Sequence, residues 1–221
     1  MRLSRRNLAA PGGAVTGRDA GPAVAGGRVA GPIGKTGSDT GATAVRVLGV
    51  DPGTVALGWG IVEGGGRGIE HVASGVVRAR GTRAQRLSEI CDVLVDICQR
   101  FAPGALSLEQ TFVGDNVQSA FRLGEARGAV MVAACRSQLE VAEYSPAEIK
   151  VAVAGSGRAS KAQMQAMVGR LLGIAQALAA DEADALGAAI CHVYAGRFHA
   201  VIAQASSWGG GGRARRGPWR R

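Results

Sequence analysis

The sequence predicts an α/β fold: a five-stranded mixed sheet flanked by helices on both faces. Three observations point to it. Three strand-like runs between residues 45 and 79 follow one another through short links, the pattern of an antiparallel meander. From residue 82 to 144 helical and extended patterns alternate, which sets the later strands parallel to the first. Three helical patterns then close the domain.

Each element has its own signal. VRVLGVD at 45–51 is a short apolar run and reads as a buried strand. Residues 58–63 and 69–79 read as the second and third strands, with GGGRG at 64–68 as the turn between them. Between 82 and 100, Leu87, Ile90, Cys91, Leu94, Val95 and Cys98 recur at helical spacing, and Pro103 and Gly104 stop the helix. Residues 106–110 form the fourth strand, 116–136 the second helix and 139–144 the fifth strand. Ser145, Pro146 and Glu148 make a capping box with proline at the first helical position, so a short helix starts there. A glycine-bearing loop at 154–159 leads to helices at about 160–172 and 181–199.

Composition narrows the class. The chain has 221 residues, 47% of them apolar but only 4% aromatic, so the core must be built from Val, Leu, Ile and Ala. No run of eighteen apolar residues is free of charge, which argues against a membrane span, and the Arg-rich start lacks the apolar core of a signal peptide. Cys91, Cys98, Cys135 and Cys191 form no CxxC pair and read as reduced core cysteines of a cytoplasmic protein; with His71, His192 and His199 scattered, a zinc site is not expected. The net charge of +9 belongs to the ends: residues 1–44 carry six Lys/Arg and two Asp, residues 204–221 five Arg and no acid, and residues 45–203 balance at fifteen of each sign. The domain is therefore 45–203. Residues 1–44, rich in Gly and Ala without apolar periodicity, read as disordered, or as the product of a start codon placed too far upstream. The tail is a solubilising segment or a loose phosphate attractor.

Four acids stand out. Asp51 ends the first strand, Glu109 nears the end of the fourth, and Asp181 and Asp184 open the last helix three residues apart, on one face. If the first and fourth strands are parallel neighbours, Asp51 and Glu109 lie side by side where open α/β sheets place their ligands. Each has a plainer reading. Asp181 fits a helix cap or a dipole partner, and Asp51 before Pro-Gly fits a turn. Glu109 is harder to dismiss, because the surrounding LSLEQ run is apolar and burial of a carboxylate is costly. Two carboxylates about 4 Å apart repel by roughly 4 kcal/mol at an effective dielectric of 20. A cluster of four needs protons or cations, and oxygen donors without His or Cys point to Mg²⁺ or Mn²⁺.

Six runs stand in order along the domain: GVDPGTVALGWG at 49–60, LEQTF at 108–112 with Asn116, LGEARGAV at 123–130, EYSPAEIK at 143–150, GSGRASKAQMQAMV at 155–168 and DEADALGAAICH at 181–192. In these runs the sequence resembles the RuvC-type Holliday-junction resolvases of the ribonuclease H-like superfamily. The resemblance implies a ribonuclease H-like fold and a magnesium-dependent endonuclease. Asp51, Glu109, Asp181 and Asp184 would be its metal-binding catalytic acids, with two Mg²⁺ per site and Mn²⁺ as a substitute. It further implies that Lys150 and Lys161 contact phosphate near the cut and that Phe112 stacks on a base at the opened centre of four-way junction DNA. A homodimer would make paired symmetric nicks, alongside the RuvA–RuvB branch-migration complex, in recombination and repair. Taken alone, Phe112 has a lesser reading as a loop anchor packed on the core, and each lysine reads first as an ordinary solvated side chain. Two departures stand out: Asp115, where some relatives carry a basic residue, and the 44 residues before the domain.

Three other readings are weaker. Asp51-Pro52-Gly53-Thr54 resembles the first phosphate motif of actin-like kinases, but those need a duplicated domain and 45–203 holds only 159 residues. A non-catalytic junction-binding module would be expected to lack an acid. A nuclease of the same fold acting on RNA differs only in substrate.

Overall fold

β-Branched and aliphatic residues alternate so that the central strand buries both of its faces. In β1 (Val45–Asp51), Leu48 and Val50 join one apolar cluster and Val47 the other, all at 1% exposure or less. A strand buried on both sides belongs in the middle of a sheet, and β1 lies there. It pairs antiparallel with β2 (Ala56–Gly65) and parallel with β4 (Ala105–Glu109). Outside these, β3 (Gly68–Arg78) pairs antiparallel with β2, and β5 (Glu140–Tyr144) parallel with β4. The order β3-β2-β1-β4-β5 is the expected five-stranded mixed sheet.

The computed structural model describes residues 28–29, 44–65, 68–110 and 117–208. Residues 28–29 add an element that the sequence did not announce. They form a two-residue strand antiparallel to β3 at Ser74 and Ala73, within the segment read as disordered. Part of the glycine turn, residues 66–67, and the tail beyond 208 lie outside the described residues.

Helices cover both faces. The helices α1 (Arg83–Phe101) and α2 (Val117–Arg136) pack with Leu48, Val50, Leu106 and Leu108. On the other side lie α3 (Pro146–Ala154), α4 (Lys161–Leu171) and α5 (Ala180–Trp208), against Val47 and Val62. The core is aliphatic, as the composition required, and each buried Val, Leu or Ile contributes roughly 1.5–3 kcal/mol. The Ser145 capping box forms as expected, and Thr82 with Gln85 and Ser160 with Gln163 form two more. α5 runs to Trp208, past the boundary at residue 203. Cys91, Cys98 and Cys191 are buried free thiols, whereas Cys135 is exposed on the outer side of α2 and is not a core cysteine. Among the described residues no helix is long and apolar enough to cross a membrane.

One packing feature positions everything that follows. α5 lies directly on β1 and β2 because glycines leave no side chain between them. A Cβ on Gly49 would land on the carbonyl of Ala185, and one on Gly58 on the carbonyl of Asp181. The path continues with Gly60 under Leu186 and Gly64 under Val193. Backbone cannot yield as a flexible side-chain tip can, so a methyl group at these points must lift the helix. Gly58→Ala should therefore lower stability by about 1–3 kcal/mol in urea unfolding, the range for overpacking. Gly65→Ala, whose Cβ would meet only Ala44 Cβ at 3.9 Å, should change it far less. Equal effects would show that the close approach at Gly58 is not a constraint.

Candidate active site

Strand register brings the first two acids together. β1 and β4 run parallel with Gly49 opposite Ser107 and Val50 opposite Leu108. One further step sets Asp51 beside Glu109. Side chains alternate along a strand, so Asp51 shares the face of Gly49 and Glu109 that of Ser107. Both of those residues face α5: Gly49 lies under Ala185, and the buried Ser107 hydroxyl donates to the Ala188 carbonyl at 2.8 Å. The two strand-end carboxylates thus point to the side where α5 begins.

The same lane of glycines delivers the other two. Asp51 pairs with Gly58, and the backbone of Asp181 lies over Gly58. Asp181 and Asp184, three residues apart in the first turns of α5, then overhang the end of β1. Asp181 lies in the first turn of α5, where its charge suits the helix dipole, but the capping contact belongs to Glu182. Its Oε2 accepts the Ala179 backbone N–H at 3.2 Å, and its Oε1 accepts the Ser74 hydroxyl at 2.7 Å. Ser74 Oγ also meets His71 Nε2 at 2.7 Å. Glu182 is only 6% exposed and turns away from the cluster, anchoring the start of α5 to β3.

Electrostatics record the convergence. Burial first, then the charges of Asp184, Asp181 and Glu109, push the Asp51 carboxyl up to about 7, with Lys161 opposing. Glu109 is raised by burial and by Asp184, against Lys150 and Lys161. Asp184 is raised by burial, lowered by Lys161 and raised again by Asp181. Apolar surroundings around Glu109 therefore have the expected consequence. Lys161 Nζ stands 3.9 Å from Asp184 Oδ2 on a side chain that is 90% exposed, too loose and too wet to neutralise the group. Lys150, Lys161, Glu109 and Asp184 line a cleft of about 200 Å³ floored by Pro146, Ile149 and Met164. Of the expected site residues, Asp51, Glu109, Asp181, Asp184, Lys150 and Lys161 are brought together, while Phe112 lies outside the described residues.

The donors available to a cation are hard carboxylate oxygens. Among the described residues no three acidic, His or Cys side chains stand close enough to enclose one ion. Such a set suits a cation that keeps water and binds through one or two carboxylates at a time.

Two residues at the site were not singled out from sequence. Glu182 sits between the two aspartates, and its position three residues after Ala179 is half of a capping-box signature. Arg127, inside the LGEARGAV run, donates from Nη1 to the Glu109 carbonyl at 2.8 Å and pairs through Nη2 with Glu143 Oε1 at 2.6 Å. No periodicity marks it, because its partners are a backbone atom and a residue sixteen positions away.

The family model described as "Crossover junction endodeoxyribonuclease RuvC" matches residues 47–192. A protein of that name from Variovorax paradoxus is 43% identical over 166 residues, covering 73% of this chain and 91% of the relative. Another, from Magnetococcus marinus, is 41% identical over 177 residues, covering 78% and 98%. Among solved structures, Thermus thermophilus RuvC superposes with a TM-score of 0.65 at 32% identity, over 70% of this chain and 97% of that one. The same protein in complex with a Holliday junction substrate gives 0.66 at 32% identity, over 70% and 96%. The yeast mitochondrial Holliday junction resolvase Ydc2, at 14% identity and a TM-score of 0.51, over 74% and 82%, shares the fold. The chain belongs to the RuvC family of crossover junction endodeoxyribonucleases, metal-dependent DNA-cutting hydrolases that resolve Holliday junctions in recombination and repair.

Proposed function

We propose that this chain cuts four-way junction DNA at the cluster of Asp51, Glu109, Asp181 and Asp184, and that these acids hold two Mg²⁺ ions, for which Mn²⁺ substitutes. The observation that carries the reading is the convergence of three acids on Asp51, whose carboxyl is pushed up to about 7 by burial and then by the charges of Asp184, Asp181 and Glu109. A buried carboxyl raised in this way is poised to release its proton when a cation arrives. When bound, such ions supply an activated water and offset charge on the leaving 3′-oxygen. The chain's own residues do the rest. Asp51 and Glu109, fixed on adjacent strand ends, set the plane in which a phosphodiester must lie. Asp181 and Asp184, carried on the first turns of α5, close it from above. Lys150 and Lys161 stand at the rim of the cleft and bring compact positive charge to the phosphates flanking the cut. Phe112, three residues beyond Glu109, stacks on a base at the opened junction centre, a contact worth roughly 1–3 kcal/mol.

The chain works as a homodimer in this reading, with one site per nicked strand. The support is the outer face of α2, where Val117 is 63% and Phe121 71% exposed, and where both line an apolar groove with Ala120, Gly124 and Glu125. Exposed aromatic and aliphatic groups clustered on one helix face mark an interface. We place the enzyme in the cytoplasm beside the RuvA–RuvB branch-migration complex.

Three outcomes follow. Asp51→Asn should abolish Mg²⁺-dependent cutting of synthetic four-way junctions, as EDTA does for the unaltered chain; normal cutting by the folded variant rejects the assignment. Protonation of Asp51 gives the second. Its folded pKa of about 7 lies above the ordinary 3.8, so the folded state holds a proton that the unfolded chain releases. In EDTA this favours the folded state at low pH and is lost as pH climbs from about 4 to 7, on the order of a few kcal/mol. Relative to the unaltered chain, Asp51→Asn should melt higher at pH 8 than at pH 5, and Mn²⁺ should raise the melting temperature of the unaltered chain more than that of the variant. A difference that ignores pH and cation denies the coupling. Third, Phe121→Asp should shift sedimentation from dimer to monomer without unfolding the protein; an unchanged mass would exclude this face.

A further inference from the structure

Arg127 holds an unusual place between the outer face of α2 and the acidic cluster. Its guanidinium is a rigid fork. One tooth reaches the main-chain carbonyl of Glu109 at 2.8 Å, and the other grips Glu143 on β5 at 2.6 Å. The Arg127 side chain is 16% exposed and that of Glu143 38%, so the guanidinium is largely shielded while its carboxylate partner still meets water. Glu109 is the last residue of β4. Just beyond it the Gln110 N–H still bonds the Tyr144 carbonyl at 2.7 Å, and then the chain leaves the sheet and returns as α2 at Val117. Arg127 therefore fastens the point of departure to the helix on which the chain comes back.

We propose that Arg127 is a positioning residue for Glu109, which makes the geometry of the acidic cluster depend on how α2 is seated. The proposal rests on the assignment of Glu109 to the cluster and of the outer face of α2 to the second copy. A carbonyl clamped by a charged donor cannot rotate freely about the Glu109 main chain. The main chain from which the Glu109 carboxylate springs is therefore fixed at the end of β4. Glu143 completes the clamp by fixing the fork in its plane, so that neither Lys nor Gln can reproduce both bonds. Phe121 and Arg127 lie six residues apart on one helix, so a displacement of α2 at its apolar face is carried by a rigid element to the Glu109 carbonyl. In this way assembly of the pair of subunits reaches the site at which each strand is cut.

The test uses the full-length protein and compares Arg127→Gln, Arg127→Lys and Glu143→Gln with the unaltered chain. Four readings are taken: junction affinity in Ca²⁺, single-turnover cutting rate, the Mn²⁺ concentration giving half the maximal rate, and sedimented mass. Arg127→Gln should keep junction affinity within about twofold and remain dimeric, cut at least tenfold more slowly, and need several-fold more Mn²⁺. Arg127→Lys should fail to restore the rate, and Glu143→Gln should fall between. A rate and Mn²⁺ requirement within twofold of the unaltered chain in both Arg127 variants would overturn the proposal. So would a loss of rate with no change in the Mn²⁺ requirement, since that is the mark of general weakening. Should Arg127→Gln not fold, Arg127→Lys and Glu143→Gln decide by the same criteria. Glu109→Gln separates the two levels: if it cuts normally, the site assignment itself falls; if it is inactive while the Arg127 variants are normal, only the clamp falls.

Discussion

Four carboxylates cannot share a partly buried pocket as four anions, and the rest of this structure is organised around that constraint. The sheet brings Asp51 and Glu109 together through parallel register, and α5 adds Asp181 and Asp184 from above. Among the described residues the closest ion pair at the acids is loose: Lys161 reaches Asp184 at 3.9 Å and from an exposed side chain. The result is a site in which burial and three neighbouring acids push the Asp51 carboxyl up to about 7. Such a pocket stores unfavourable electrostatics that a divalent cation relieves. A fold chosen for stability alone would disperse these charges.

The cost is met by packing elsewhere. α5 is held against β1 and β2 by glycines that let backbone touch backbone, so its first turns cannot drift away from the repelling acids. Glu182 adds a separate anchor to Ser74 and to the Ala179 amide, on the side opposite the cluster. The buried Ser107 hydroxyl pins the next turns through Ala188. Three contacts of different chemistry thus fix one helix end, which explains how two aspartates on a helix stay in register with two acids on strands. On the other face, the aliphatic layer under α1 and α2 supplies bulk stability.

Much of this was legible in the sequence because it depends on period and local chemistry. The runs of alternating or continuous apolar residues located all five strands, and β1 came out at its expected bounds because an apolar run ending in Asp-Pro-Gly has a sharp stop. The Ser145 box was readable because its three partners are neighbours in the chain. The positions of the four acids at strand and helix ends were readable for the same reason. What escaped depends on contacts between distant segments. Arg127 bonds a main-chain carbonyl, which no side-chain pattern reports. Glu182 was not singled out between its two aspartate neighbours, although its environment makes it a structural anchor. The glycine lane was visible only as part of a motif, since the helix it admits lies more than a hundred residues away. The two-residue strand at 28–29 carries no periodic signal at all, and Cys135 fell on the exposed side of a helix whose apolar pattern is broad.

The claim that these acids form one proton-retaining, cation-accepting unit is open to a direct measurement. Calorimetric titration of the chain with Mn²⁺, repeated near pH 6 and pH 9 in buffers of different ionisation enthalpy, counts the protons expelled as the ion binds. Protons should be released near pH 6 and almost none near pH 9, and substitution of Asp51 should remove most of the difference. Cation binding with the same proton count at both pH values, or no binding at all, would contradict the account.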